Sequence, residues 1–320
     1  MAFNEFLIGK RERMVWVAEA TFGVSGTIAN GEVIGTDCTI EPDFNKNWQE
    51  VLTTGNDNLT VQDRIRGPDT YPYTLNFSPV NFRWLKYLMA CADGTDGTVK
   101  THTFTVRNTI LSYSLEWAKR HTTSHVITIL GNGMKSATIS FQKASGQGSG
   151  GHLKVSARCF AKSATEGSVV ASVSALTKKP FQYRHVKLTL NNVETVEVNN
   201  GEMTIDTGID EEISRYCNST IDYAIGEPIP QIFRISGRFN LNIKDNTHYA
   251  LWAAVAVISN CKLEIIRDAS ADDKITFTYS NFVIHSPGAS GTNLEGPTNL
   301  DIVWTADTMT VVARDDVATY

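Results

Sequence analysis

Apolar and polar residues alternate along most of this chain. "HVITILG" (125–131), "SATISFQ" (136–142), "HLKVSARCF" (152–160), "HVKLTLNNV" (185–193), "EMTIDTG" (202–208), "FRISGRFNLNI" (233–243), "CKLEII" (261–266), "KITFTYSNFVI" (274–284), "NLDIVWTA" (299–306) and "MTVVARD" (309–315) each send every second side chain to one face. They are rich in Val, Ile, Thr and Phe, the signature of half-buried strands. "GNG" (131–133), "NNG" (199–201) and "GQGSGG" (146–151) punctuate them as turns. Helical spacing appears twice. Asn81 is placed to cap "FRWLKYLMACA", which predicts a helix at about 81–91, and Asp245 or Asn246 precedes "HYALWAAVA", which predicts one at about 247–256. The stretches 43–72 and 208–230 are predicted as long loops. A loop of ~30 residues in a compact domain is uncommon and usually functional. The pattern is that of an all-β protein with one short flanking α-helix in each half.

The two halves resemble each other. "YTLNFSPVNFRWLKYLMA" from Tyr73 aligns without a gap with "FNLNIKDNTHYALWAAVA" from Phe239, so that Leu75 meets Leu241 and Asn76 meets Asn242 at an offset of 166. "CTIE" (38–41) parallels "MTID" (203–206) at 165. "SLEW" (114–117) and "ITILGNGM" (127–134) parallel "KLEI" (262–265) and "ITFTYSNF" (275–282) at 148, and "LKVSA" (153–157) parallels "LDIVW" (300–304) at 147. The order is collinear and the offset changes mainly once. This predicts two tandem domains, 1–165 and 180–320, joined by a linker at 166–179, with one loop after the helix shortened in the second. In the first domain the reading places an N-terminal arm at 1–30.

At 320 residues, 42% hydrophobic and 20% charged, both halves can bury a core. No stretch approaches ~20 apolar residues, so no membrane span is expected. The start of the chain lacks an apolar signal core, and export by the general secretory route is not expected. A net charge of −5 argues against a surface built to grip nucleic acid. Five scattered cysteines without CxxC spacing read as free, mostly buried thiols.

No catalytic constellation emerges. His121 and His125 have i, i+4 spacing but no evident third ligand, and read as a solvated pair. Asp93 and Asp96 lack the oxygen ladder of a calcium loop and read as a turn. The chain has no P-loop, nucleophile elbow or dinucleotide glycine pattern. The expectation is no enzyme, with no catalytic, cofactor or metal residues.

"VWVAEATFGVSG" (15–26), "IEPDF", the long loop, a strand with a short helix, "LGNGMKSATISFQ" (130–142) and "LKVSARCFAKS" (153–163) together resemble the tail tube proteins of long-tailed bacteriophages. The resemblance covers most of the chain. It implies a β-sandwich or barrel with a flanking helix, and subunits whose strands join into one inner barrel. It also implies rings stacked into a hollow conduit for DNA ejection. Relatives carry one tube domain and form six-membered rings; two domains in this chain make a trimeric, pseudo-sixfold ring the expectation, with a hexamer as alternative. Expected partners are further copies, other tail proteins (tape measure, terminator, distal tail) and double-stranded DNA in passage without specific binding. The expected location is the virion tail, after synthesis in the host cytoplasm. Trp48, Val51 and Leu52 are apolar residues in an otherwise polar stretch, and are the candidate inter-ring or inter-subunit contacts. Asp and Glu are expected to outnumber Lys and Arg on the lumen face. Other readings are a terminator or distal tail ring, and a β-sandwich surface or carbohydrate-binding module.

Overall fold

A computed structural model describes residues 12–52, 61–96, 99–107, 109, 111–119, 125–143, 151–167, 178–195, 198–210, 215–216, 224–225, 230–242, 257–267, 273–290 and 299–316, with the side chains of 46–68 outside the description. The first half supplies β1 (Glu12–Ala18), β2 (Glu32–Val33), β3 (Thr36–Pro42), β4 (Asn45–Leu52), β5 (Val61–Thr70), β6 (Tyr73–Ser78), β7 (Ala90–Asp96), β8 (Val99–Thr105), β9 (Tyr113–Lys119), β10 (His125–Gln142), β11 (Lys154–Phe160) and β12 (Ser163–Gly167). The second supplies β13 (Val186–Leu190), β14 (Val193–Thr195), β15 (Val198–Asp206), β16 (Arg215–Tyr216), β17 (Ala224–Ile225), β18 (Arg234–Asn242), β19 (Cys261–Ile266), β20 (Lys274–Ser280), β21 (Val283–Ser290), β22 (Asn299–Ala306) and β23 (Thr308–Asp315). All strand pairs are antiparallel, and the all-β expectation holds.

The expected α-helix at 81–91 is a five-residue 3-10 turn, Arg83–Tyr87. Asn81 Oδ1 accepts the Arg83 N–H at 3.2 Å, so Asn81 does serve the turn. Trp84, Leu85, Tyr87, Leu88 and Met89 are all buried, and Ala90 is already paired to Thr105. A segment buried on every side and pulled into a ladder at its end has no room for a second helical turn. The helix expected at 247–256 lies outside the described residues. The stretch 43–72, expected as a loop, contains the β4–β5 ribbon, and 208–230 contains the short β16–β17 pair. Within the expected arm, Glu12–Ala18 is a strand paired to β9.

Strand β10 organises the molecule. Its first part pairs with β9 and β12, in the run β2-β1-β9-β10-β12. Its second part pairs with β11 and β15, in an eight-stranded run β3-β6-β11-β10-β15-β18-β22-β21. A separate seven-stranded sheet runs β14-β13-β19-β20-β23-β8-β7. The first run covers one end of the long sheet: Trp16 stands edge-on to Phe77 at 6.0 Å. The seven-stranded sheet covers the other end, with Tyr279 against Trp304 at 5.0 Å.

The bend in β10 falls at Gly131–Asn132, where the register with β9 shifts. Gly131 has φ +64°, and a Cβ there would meet Lys162 Cβ at 2.6 Å, so glycine is required twice over. Glu19, only 7% exposed, holds the bend. Its carboxylate accepts Gly131 N–H at 2.9 Å, Gly23 N–H at 2.9 Å and the Ser114 hydroxyl at 2.8 Å. The Glu-x-Thr-Phe-Gly stretch is therefore a structural clasp. Asn132, fully buried, donates to the Tyr113 and Ile129 carbonyls and accepts from the Tyr73 hydroxyl at 2.7 Å, while Tyr73 and Tyr113 share a 2.9 Å contact.

Pairing registers recur between the halves. Leu115 faces Ile129 (β9·β10), and 148 residues on, Leu263 faces Phe277 (β19·β20). Ile129 faces Ala164 as Phe277 faces Val311, and Thr138 faces Ser156 as Ser286 faces Val303. The most conspicuous sequence match behaves differently. Ala157 faces Leu75, and its counterpart Trp304 faces Gly237 where the sequence alignment has Leu241. Judged by this pairing, Gly237 takes the place of Leu75 at a distance of 162 residues, four short of the aligned 166. An even slip leaves the in–out pattern unchanged, so hydrophobicity alone does not detect it.

The halves share both sheets and one core. β10 bonds to β15, β8 bonds to β23, and Phe82 packs on Phe181 (4.9 Å) and Phe277 (6.2 Å). Most of the expected linker, 168–177, lies outside the described residues. Cys38, Cys91, Cys159 and Cys261 are free thiols, as expected of them.

Glu19→Ala removes the acceptor of three hydrogen bonds and orphans the buried Gly131 N–H and the half-buried Gly23 N–H; a loss of about 2–4 kcal/mol is expected in chemical denaturation. Burial pushes the Tyr73, Tyr113 and Tyr279 phenols well above their usual 10. These protons bind more tightly in the folded state, so their stabilising contribution is intact below about pH 10 and falls as pH rises beyond it. Phenolate absorbance of these residues should appear only together with alkaline unfolding.

Candidate functional site

The two faces of the long sheet differ sharply. One is apolar and buried: Ile40, Leu75, Ala157, Ala137, Ile205 and Ile235 form a continuous row across it. The other is polar. Thr39, Asn76, Ser156, Thr138, Thr204, Ser236, Thr305 and Val283 follow one another from the β3 edge to the β21 edge.

Neighbouring side chains satisfy much of this polar face. The Thr138 and Thr204 hydroxyls are 2.8 Å apart across the join of the halves. Asn199 donates to Asn240 and Asn242, Asn240 donates to Asp301 at 2.6 Å, and Asn76 donates to Glu41 at 3.2 Å. Arg238 meets Glu202 at 2.9 Å, with side chains 63% and 38% exposed. Exposed pairs of this kind contribute about 0–1 kcal/mol. The sheet is held by its apolar back and its backbone ladders, and the polar face presents a smooth, self-satisfied surface.

The sheet ends in two edges, β3 and β21. Among the described residues, β3 pairs only with β6, and β21 only with β22. Both carry irregularities: a register shift at Thr36/Thr39 with Asp37 at φ 53°, and a shift at Ile284/Ser286 followed by Pro287. Bulges and prolines on an edge discourage indiscriminate pairing. β10, which is paired on both sides, has the same kind of shift at Met134/Ser136.

Trp48, Val51 and Leu52 all lie on β4, opposite Arg66, Asp63 and Val61 of β5. Among the described residues the β4–β5 ribbon joins no larger sheet. Phe44 and Tyr71 stack edge-to-face at its base, 5.5 Å apart. Beside that base, Phe44, Val126, Ile127 and Ala164 line a shallow hollow of about 380 Å³, with His125 and Glu166 at its rim. His125 is exposed and 3.7 Å from Glu166, a solvated residue as expected, and His121 lies outside the described residues.

The sequence reading missed β7 and β8. Asp93 and Asp96 read as a turn in the sequence, yet both lie in β7, and "VKTHTFT" (99–105) carries the period-2 signal of a strand. Asp93 bonds to His102.

A family model for the phage tail tube protein matches residues 9–308. The chain belongs to the phage tail tube protein family. No curated protein matches it. This tail tube protein is a structural component of the virion tail, of a family that self-assembles and works with other tail proteins. The polar face and the two open edges are the features that such an assembly can use.

Proposed function

We propose that this tail tube protein holds two copies of one tube module, 1–165 and 180–320 joined by 166–179, and that three chains close a pseudo-sixfold ring. Rings stack into the hollow conduit through which double-stranded DNA leaves the virion. One observation carries this reading: the long sheet is a four-strand order used twice. β3-β6-β11-β10 is followed by β15-β18-β22-β21, and the β10–β11 register recurs between β21 and β22, which supports reading the runs as counterparts. The halves meet where the last strand of the first run pairs with the first strand of the second. What remains open is another last strand, β21, and another first strand, β3. Joining β21 of one chain to β3 of the next repeats the internal join and leaves no edge when the ring closes.

The internal join also supplies a register. Thr138 faces Thr204, and in the sequence alignment of the halves these residues match Ser286 (offset 148) and Thr39 (offset 165). Three chains of eight strands give twenty-four. At a spacing of ~4.8 Å and a tilt of ~40°, the barrel has a backbone diameter of about 48 Å, wide enough for a hydrated duplex. With the polar face inward, the lumen departs from the acidic excess expected from the sequence. Glu41, Glu202, Asp206 and Asp301 are matched by Lys154, Arg158, Arg234 and Arg238. A surface whose charges cancel and whose amides and hydroxyls bond to one another offers a phosphate backbone little to hold. Ring-to-ring contact falls to the β4–β5 ribbon, with Trp48, Val51 and Leu52 as anchors.

Directly opposed strand residues have Cα atoms about 4.5–5.5 Å apart, within disulfide range. Thr39→Cys combined with Ser286→Cys should therefore give an inter-chain disulfide in assembled tubes but not in free subunits, with a covalent ladder ending at three chains. A ladder ending at six would establish the hexamer, and no cross-link would rule out the edge pairing. Trp48→Ala should shorten tubes without lowering the melting temperature of the free subunit; unchanged tube length removes Trp48 as an anchor.

A further inference from the structure

Away from the long sheet, three side chains of different donor chemistry converge on the hairpin that joins the two halves. Sulfur, carboxylate and imidazole ligand atoms of Cys91, Asp93 and His102 all lie within 4.8 Å of one another. Strand geometry brings them together. Cys91 and Asp93 are two apart on β7 and share a face, and Asp93 stands directly opposite His102 on β8. Cys91 Sγ is 3.5 Å and His102 Nδ1 is 2.7 Å from Asp93 Oδ1.

The imidazole is fully buried, and its far nitrogen, Nε2, is 3.3 Å from Asp315 Oδ1 on β23. A neutral imidazole carries one N–H. With Nε2 turned to Asp315, Nδ1 lies on the side where Asp93 Oδ1 and Cys91 Sγ converge, so a nitrogen, an oxygen and a sulfur donor face one point. A carboxylate behind the distal nitrogen is the usual support of a metal-binding histidine. We propose that Cys91, Asp93 and His102 form a transition-metal site, best matched to Zn²⁺, with Asp315 orienting the imidazole.

The donor set selects the ion. One thiolate, one imidazole nitrogen and one carboxylate suit Zn²⁺ in a tetrahedral shell with one open position, whereas Ca²⁺ and Mg²⁺ require oxygen. Asp93 is 30% exposed, which gives the ion a way in. Binding releases the Cys91 thiol proton to solvent. It also widens the Asp93–Nδ1 separation by about 0.5 Å, the difference between a hydrogen bond and two donors on one zinc. Lys86, near Cys91 and Asp93 and 3.9 Å from Glu32, is the cation that opposes the ion's charge. Because Asp315 belongs to the second half, a bound ion would tighten the β7–β8 hairpin onto β23. The inference stands apart from the tube reading.

The test uses the full-length chain after chelator treatment, titrated with Co²⁺ and then Zn²⁺. One equivalent of Co²⁺ per chain with a thiolate-to-cobalt charge-transfer band, displaced by Zn²⁺, is expected, together with a raised melting temperature. Removing the buried imidazole threatens the fold itself, so two milder variants carry the assignment. Cys91→Ser should abolish the charge-transfer band, and Asp315→Asn should retain it with about tenfold weaker Zn²⁺ binding. Failure of the folded wild-type chain to take up either metal, or an unchanged band in Cys91→Ser, overturns the proposal.

Discussion

The architecture depends on one strand changing sheets. β10 serves the outer run with its first part and the long sheet with its second, and the backbone must turn between them without leaving buried polar groups unpaired. An unsatisfied buried donor costs about 1–3 kcal/mol, and the turn sits in the core. The Glu19 carboxylate and the Asn132 amide pay that cost, each bonding to several groups at once. With the turn fixed, Ala137, Ile139 and Phe141 face the core, and the rest of β10 is a template on which β15 can pair. In the second half a break between β20 and β21, with Asn281 at φ 53°, stands at the corresponding place.

The long sheet keeps its packing on one face and its polar side chains on the other. The buried face carries the aromatic and aliphatic packing, including Trp304 stacked on Phe239 at 5.3 Å and on Phe282 at 4.8 Å. Gly237 lies beneath the Trp304 ring, where a Cβ would come within 2.5 Å of it. The polar face contributes little to stability. This division lets a surface of threonine, serine and asparagine, which no core would retain, persist across eight strands.

Much of the fold was legible from the sequence, because alternation with period two survives in single strands whatever their partners. The Glu19–Gly23 stretch and "LGNGMKSATISFQ" stood out as motifs, and the structure explains why: both meet at the β10 bend. Other features had no local signature. Arg83–Tyr87 has helical spacing, but burial on all sides and the pull of β7 override it. The β4–β5 ribbon looked irregular because its apolar residues are few. Asp315 joins Asp93 and His102 only because β8 pairs with β23, a contact between residues more than two hundred positions apart. The four-residue slip between β6 and β18 was invisible because Leu241 and Gly237 point the same way.

Among the described residues the β7–β8 hairpin occurs once. It leaves the first half, crosses to β23 and fastens the outer layer where the halves adjoin. In a cylinder of three chains, that strap would span alternate seams and leave the others closed by the inner wall alone. Sixfold appearance from within would then conceal threefold mechanics from without. Under tension or sharp bending, such a tube would part between polypeptides, shedding whole chains rather than tearing one in two.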